Sequence, residues 1–407
     1  AMAAPAPIDP SRLAACLAPF GESRTLPAEA YTSPDVHAWE QDTFFRGWHC
    51  IGRSADVGIG EQRAVPIGAS SALLVRDADG TLRGFANVCR HRGHELVPCG
   101  EVRTGRAITC PYHLWSYRHD GALIAAAHYA DVPDFDFRLE DWPLLPIAVR
   151  EWHGWVFVDA SGSAGTLEDH HDGLEEHARD HAPEDLVVAA VHEYDIAANW
   201  KVIIENYQEC YHCPAIHPAL CVVSPPDSGD NWVPGAGAWV GGWLALRDDA
   251  VTMSMDGTSP VAPLPGLSDD QRRCVNYVGV FPNLLISLHP DYVMTHRLTP
   301  LAPDRTRVEC AWAFSHEAVA TPGFDPAFAV DFWDLTNRQD WAACESVQRG
   351  LASGHMVPGP LSPREDAIYQ FDTMVARGYL GEVPRPTPPE RTRSSRVAAR
   401  ARAATAG

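Results

Sequence analysis

No run of about 18 apolar residues occurs in this 407-residue chain, so no segment reads as a membrane-spanning helix. The start Ala1-Met2-Ala3-Ala4-Pro5 has no charged stretch leading into an apolar one, and nothing there reads as an export signal. Basic residues are few beside acidic ones, 32 Lys and Arg against 53 Asp and Glu, for a formal charge of −21. Phosphate binding needs a basic face, which argues against nucleic acid as a partner. The imbalance suits a basic patch on a redox partner or a cationic substrate, and selects neither. The expectation is a soluble, cytoplasmic protein that binds neither membrane nor nucleic acid. Its length allows two sizeable domains of about 150 residues each. Its 45% hydrophobic content is ordinary for a globular core.

Eleven cysteines are present. Two stand in mixed pairs with histidine: Cys89-Arg90-His91-Arg92-Gly93, and Cys110-Pro111-Tyr112-His113-Leu114-Trp115. Two thiolates and two imidazoles are the ligand set of a Rieske [2Fe–2S] cluster, in which two histidines replace two cysteines on one iron. A structural zinc site uses the same residue types. Zinc fingers usually pair like with like, whereas each pair here is mixed. The other nine cysteines read as reduced, mostly buried thiols. For Cys210 and Cys213 the alternative is a redox disulfide.

Along the chain, Pro34 to Trp48 is amphipathic, and short β runs follow from about Trp48 to Asp159. Residues 71–76 and 81–85, joined by Asp77-Ala78-Asp79-Gly80, predict a hairpin, and Trp152 to Val158 reads as one strand. The polar stretch Ser161 to Asp185 reads as a solvated helix joining two domains. β segments then resume, interrupted by helix signals over Trp200–His212 and Pro326–Leu351. The Pro- and Arg-rich tail from Pro384 reads as disordered or loosely attached.

A second constellation runs from Glu205 to His217. His212 and His217 are separated by about 140° on an ideal helix, too far to converge. Pro214 is expected to end the helix after His212, letting His217 fold back. An oxygen-activating iron would add a carboxylate to the two histidines. Asp340 is the candidate: Trp333, Asn337, Asp340, Cys344, Val347 and Leu351 form one helical stripe. A carboxylate there is costly to bury without a metal or strong donors. Asp334 and Glu345 lie off the stripe and read as solvated.

These motifs, with Asn199-Trp200-Lys201 and Glu205-Asn206, resemble the α subunit of a Rieske non-haem iron oxygenase from about Tyr31 to Phe371. The resemblance implies an α+β chain: an N-terminal all-β Rieske domain and a C-terminal helix-grip catalytic domain. Expected boundaries are a helical segment at 1–45 packing on the catalytic domain, the Rieske domain at 46–160, the catalytic domain at 161–383 and a tail at 384–407. Cys89, His91, Cys110 and His113 would hold the cluster, and His212, His217 and Asp340 a mononuclear Fe(II). Glu209 would bridge His212 to the cluster ligand His113 of a neighbouring subunit in a homotrimer. A glutamate at that position, with residues 281–284, 289–291 and 340–351, resembles the branch that oxidises quaternary amines. O2 would be co-substrate, with NAD(P)H electrons arriving through a flavin/iron–sulfur reductase, directly or via a ferredoxin.

The function so implied is hydroxylation of a C–H bond, with N-demethylation of a quaternary or methylated amine as the leading reading. Ring hydroxylation of an aromatic shares every metal ligand. A Rieske electron carrier without mononuclear iron is the remote alternative. A quaternary ammonium would need an aromatic cage, and Trp232, Trp239, Trp243, Tyr277 and Tyr292 lie in the right domain.

Overall fold

The computed structural model describes residues 4–131, 136–233 and 235–389. Two seven-stranded antiparallel sheets carry the chain, and a three-stranded sheet stands beside the first. Among the described residues, no helix is long and apolar enough to cross a membrane.

The first sheet begins with His49–Arg53 and closes with the hairpin Pro146–Trp152 and Trp155–Asp159. The expected hairpin after residue 70 forms, with Leu73 opposite Phe85 and Leu74 opposite Gly84. Side chains alternate across a strand. Leu73 and Val75 therefore join the core around Cys89 and Cys110, while Ala72 and Leu74 join a second core with Val156 and Val158.

Trp152 to Val158 is a hairpin turn and not one strand. His153 and Gly154 have φ of 45° and 78°, the left-handed pair that a two-residue loop demands. Gly154 adopts it freely. His153 is held there, Nδ1 2.6 Å from Glu184 and Nε2 3.1 Å from Glu175. The connecting stretch 161–185 likewise departs from expectation. It forms short helical turns in place of one helix; Leu167, His171, Leu174, Ala178 and His181 are buried, while the other face of the segment is exposed to solvent as expected.

The second sheet runs, in spatial order, Leu186–Ile196, Arg305–Ser315, Val293–Ala302, Leu284–Leu288, Cys274–Val280, Trp239–Ala245 and Asp230–Asn231. The Ala327–Leu351 helix packs on it and shares a core with Val308, Cys310 and Trp312. Its buried stripe includes Trp333, Asn337, Cys344 and Leu351 as expected, but Val347 is 49% exposed. Gln348 turns inward instead, because its Oε1 accepts the Asn199 amide at 2.9 Å. Asp334 and Glu345 are also engaged. Asp334 accepts from the Tyr194 hydroxyl at 2.7 Å, and Glu345 from the Ala197 amide at 3.1 Å.

A buried polar network ties the N-terminal segment and the Asp366–Tyr379 helix to the Trp200–Tyr207 helix. Lys201, the only lysine in the sequence, donates to Glu40 at 2.7 Å with both side chains fully buried. Glu40 also accepts from Trp200 Nε1 and the Tyr379 hydroxyl, and Tyr31 donates to Glu205. Polar groups this deep persist only when their hydrogen bonds are made. The segment from Pro384 to Pro389 is anchored by the Thr387 amide on Thr373; the rest of the expected tail lies outside the described residues.

Candidate metal centres

One mixed Cys/His pair follows the strand Leu82–Ala86 of the first sheet, and the other lies in the loop between Ile108–Thr109 and Ser116–Tyr117 of the three-stranded sheet. Cys89 and Cys110 are buried, at 2% and 1% exposure, while His91 and His113 are half-buried. The second loop turns through Leu114, whose φ of 58° is rare for a leucine. That turn lets the Cys110 amide bond back to the Trp115 carbonyl at 2.8 Å. His91 stacks on Trp115 and its ring centroid lies 4.6 Å from that of His113. Tyr112 and Leu114 stand exposed beside the imidazoles. Tyr117 places its hydroxyl 3.3 Å from Cys89 Sγ, a contact that sequence reasoning missed.

The donor set fits a two-iron cluster better than a zinc ion. Zinc needs four donors around one point. Among the described residues only His212, His217 and Asp340 form such a converging set of three. The thiol pair and the imidazole pair each draw together without merging into one site, as a cluster with two thiolates on one iron and two imidazoles on the other requires.

The second centre is built differently from the sequence expectation. The helix that starts at Asn199, whose side chain caps the Lys201 amide, ends at Tyr207 and not after His212. Glu209 ends it by drawing the Tyr211 and His212 amides onto its carboxylate. Pro214 does not terminate a helix. It sits in the first turn of a new one, Cys213–Ile216, where proline is tolerated for want of a needed N–H. His212 and His217 flank that short helix and so converge. Cys210 and Cys213 are joined in a disulfide within this loop, against the expectation of free thiols.

His217 Nε2 is 2.8 Å from Asp340 Oδ1 and His212 Nε2 is 3.4 Å from the same oxygen. Each ring is oriented from behind. His212 Nδ1 lies 2.5 Å from Glu209 Oε1, and His217 Nδ1 2.8 Å from Gln339 Oε1. Carbonyl or carboxylate partners on the far nitrogen fix tautomer and aim in metal-binding histidines. Gln339 was missed, although its place beside Asp340 was a usable signal. Burial disfavours charge on His212, but Asp340 and Glu209 outweigh it and push the imidazole up to about 9. Burial raises Asp340 in turn, and the two histidines more than reverse this, holding it below the usual carboxylate range. Two imidazoles and a carboxylate converging on one point are the set that holds Fe(II) with positions left open.

The three donors open onto a cavity of about 590 Å3. Trp243 and Tyr277, two of the five aromatics singled out above, line it, together with Tyr207, Trp333, Trp341 and His296. Trp232 and Trp239 pack instead in the core around Trp155. Tyr292 is buried with its hydroxyl donating to the Met253 carbonyl.

Residues 47–136 match the Rieske [2Fe-2S] domain, and residues 183–381 the catalytic domain of the ring hydroxylating alpha subunit. The chain is 29% identical over 388 residues to the glycine betaine monooxygenase oxygenase subunit of Chromohalobacter salexigens, covering 87% of this chain and 86% of the relative. It is 37% identical over 203 residues to the carnitine monooxygenase oxygenase subunit of Escherichia coli, 49% of this chain and 54% of that one. Among solved structures, the quaternary ammonium Rieske monooxygenase CntA with a bound inhibitor superposes with a TM-score of 0.74 at 25% identity, over 92% of this chain and 99% of that one. With both domains matched in this order, the chain belongs to the Rieske non-haem iron oxygenases, enzymes whose cofactors are a [2Fe–2S] cluster and a mononuclear iron and whose electrons come from a reductase.

Proposed function

We propose that this oxygenase hydroxylates an N-methyl group of a quaternary or methylated amine, releasing it as formaldehyde. The observation that carries this reading is the aromatic wall, Tyr207, Trp243, Tyr277, Trp333 and Trp341, around the His212–His217–Asp340 set. Aromatic faces attract a desolvated cation, and Trp does so best. The similarity to glycine betaine and carnitine monooxygenase subunits supports the same assignment.

Cys89, His91, Cys110 and His113 hold the cluster in this reading, and His212, His217 and Asp340 the iron. Bound there, the pair supplies reductive activation of O2, one oxygen entering the substrate and the other leaving as water. The chain's own residues do the rest. Glu209 and Gln339 aim the two imidazoles, the aromatic wall positions the methyl group and keeps water away, and the hydroxylated methyl then leaves nitrogen as formaldehyde.

The assembly is a homotrimer in which Glu209 links His212 to His113 of the partner subunit. Within one chain, among the described residues, no hydrogen bond or ion pair joins either cluster loop to the segment 205–217, and an imidazole edge rimmed by exposed Tyr112 and Leu114 suits docking on a second copy. The boundaries 46–160 and 161–383 for the two domains belong to the same reading, as do a flavin/iron–sulfur reductase drawing on NAD(P)H and a cytoplasmic setting.

The test is formaldehyde release by the reconstituted enzyme with reductant and O2, across quaternary amines and aromatic acids. Stoichiometric formaldehyde from an amine is expected. Hydroxylated aromatic product, with silence from every amine, overturns the substrate class. An iron content of about two per chain in place of about three overturns the oxygenase site itself.

A further inference from the structure

Oxygen activated in a cavity that holds no substrate leaves the aromatic wall as the nearest matter to oxidise. Indole and phenol rings are among the most easily oxidised side chains, so the wall that positions a substrate is also exposed to damage. One ring of that wall has a way out.

Trp341 lines the cavity, and its ring centroid lies 5.7 Å from that of Tyr194. Asp334, Arg338 and Trp341 follow at spacings of four and three on the Ala327–Leu351 helix and so share a face. The strand Leu186–Ile196 lays Tyr194 against that face. The Tyr194 hydroxyl donates to Asp334 Oδ1 at 2.7 Å, and Arg338 Nε holds the other oxygen of the carboxylate at 2.7 Å. His192 Nδ1 stands 3.3 Å from both the hydroxyl and the carboxylate. Tyr194 is 9% exposed and the His192 side chain 38%, so the cluster ends at solvent.

A phenol gives up an electron readily when its proton leaves with it, and the base that takes the proton must stand within hydrogen-bond reach. Burial holds the Tyr194 phenol above its ordinary range, so it carries that proton at rest. A carboxylate takes up a proton, whereas a peptide carbonyl only accepts a hydrogen bond. The other phenols at the wall lack a carboxylate. Tyr207 donates to the Ile286 carbonyl at 2.9 Å, and the Tyr277 hydroxyl has no partner among the described residues. Tyr292 accepts from Trp333 Nε1 at 2.7 Å, but it donates to the Met253 carbonyl and is fully buried.

We propose that Trp341 and Tyr194 form an exit for oxidising equivalents, by which turnover without substrate is discharged at the protein surface. The inference rests on the iron assignment above and is independent of which substrate the cavity takes. One electron passes from Tyr194 through the Trp341 ring to the iron site, and the phenolic proton moves to Asp334. The tyrosyl radical left behind takes an electron from a small reductant in solution, ascorbate or a thiol, and recovers its proton from Asp334. Each cycle removes one oxidising equivalent from the cavity and oxidises the reductant by one electron. A bound substrate competes by proximity, since its C–H bond lies inside the cavity and Tyr194 lies one ring beyond the wall.

The experiment mixes reduced holoenzyme with O2 in the absence of substrate and freezes samples at intervals for electron paramagnetic resonance. Peptide mass spectrometry then reads oxygen added to Trp341. Wild type is expected to give a tyrosyl signal. Tyr194→Phe, which keeps the ring, is expected to lose that signal and to show a severalfold rise in oxidised Trp341. Asp334→Asn keeps an acceptor for the hydroxyl but removes the base, and is expected to behave in the same way. Ascorbate is expected to erase the wild-type signal and spare Trp341. O2 consumption by wild type without a tyrosyl signal, a signal that survives Tyr194→Phe, or equal Trp341 oxidation in all three proteins overturns the inference and leaves the iron site standing. An iron content of about two per chain overturns the iron site and this inference with it.

Discussion

His212 Nδ1 and Glu209 Oε1 stand 2.5 Å apart, while the other oxygen of the same carboxylate takes the His212 amide at 3.1 Å. One carboxylate thus fixes both the backbone and the ring of one histidine of the candidate iron site. Its side chain is 10% exposed, enough for an edge to remain open to a partner subunit.

Replacing Glu209 by Gln keeps an acceptor and removes the charge. Product formation is expected to fall about 10- to 100-fold, the usual effect of disturbing a residue behind a metal ligand. Iron and cluster content are expected to be unchanged, as read by metal analysis and visible absorption. Loss of iron in step with activity would mean that Glu209 only shapes the site and carries nothing between subunits.

Tyr117 donates to the Cys89 sulfur once that is a thiolate, at 3.3 Å, and also accepts the Arg90 amide at 3.1 Å. Hydrogen bonds to cluster sulfurs favour the more negative, reduced state. Tyr117→Phe is therefore expected to lower the cluster potential. Loss of about 1 kcal/mol corresponds to roughly 40 mV for one electron. A spectroelectrochemical titration reads it, and an unchanged or raised potential contradicts the assignment.

Glu40 and Lys201 are a buried ion pair, and breaking such a pair from one side costs about 3–5 kcal/mol because a charge is left uncompensated. Lys201→Met alone is expected to lower the unfolding midpoint strongly. In Glu40→Gln/Lys201→Met no charge remains, and the single Gln oxygen still accepts from one of Trp200 and Tyr379, which bond to different oxygens of Glu40. The double variant is expected to lose less than the sum of the single ones, a coupling that urea denaturation of all four proteins measures.

Burial pushes the Glu205 carboxyl from its ordinary 4.5 up to about 7, against the lowering pull of Tyr31 and Lys201. The folded state therefore holds a proton that the unfolded chain has already released above pH 4.5. Its contribution is full below pH 4.5 and is lost as pH rises to 7, since stability falls with pH wherever the native state binds more protons. Glu205→Gln, neutral throughout, is expected to gain stability relative to wild type across that window. A constant difference between the two denaturation midpoints from pH 4.5 to 7 would show that the carboxyl is not protonated in the fold.

Much of the candidate site was legible because its signals are local. The Cys/His pairs and the Ala327–Leu351 helix each lie within a few turns of chain, where spacing alone carries the information. Asp340 was reached by the same periodicity. The period failed at Val347, where contact with Asn199 and not helical phase decides which side chain is buried. Pro214 misled for a related reason: proline is compatible with either the end or the first turn of a helix, and the Glu209 carboxylate chose between them.

By itself the sequence determined which donors exist, how they pair and that a lone carboxylate on an apolar stripe needed partners, because ligand chemistry and helical phase are short-range properties. The tertiary structure alone decided that His212, His217 and Asp340 meet at one point, that Gln339 backs His217, and that five aromatics line the space beside them. Those residues come from the end of the Trp200–Tyr207 helix and the loop after it, from two different strands and from a helix more than a hundred positions away. No spacing rule spans that distance; only the packing of the helix on the second sheet brings them together.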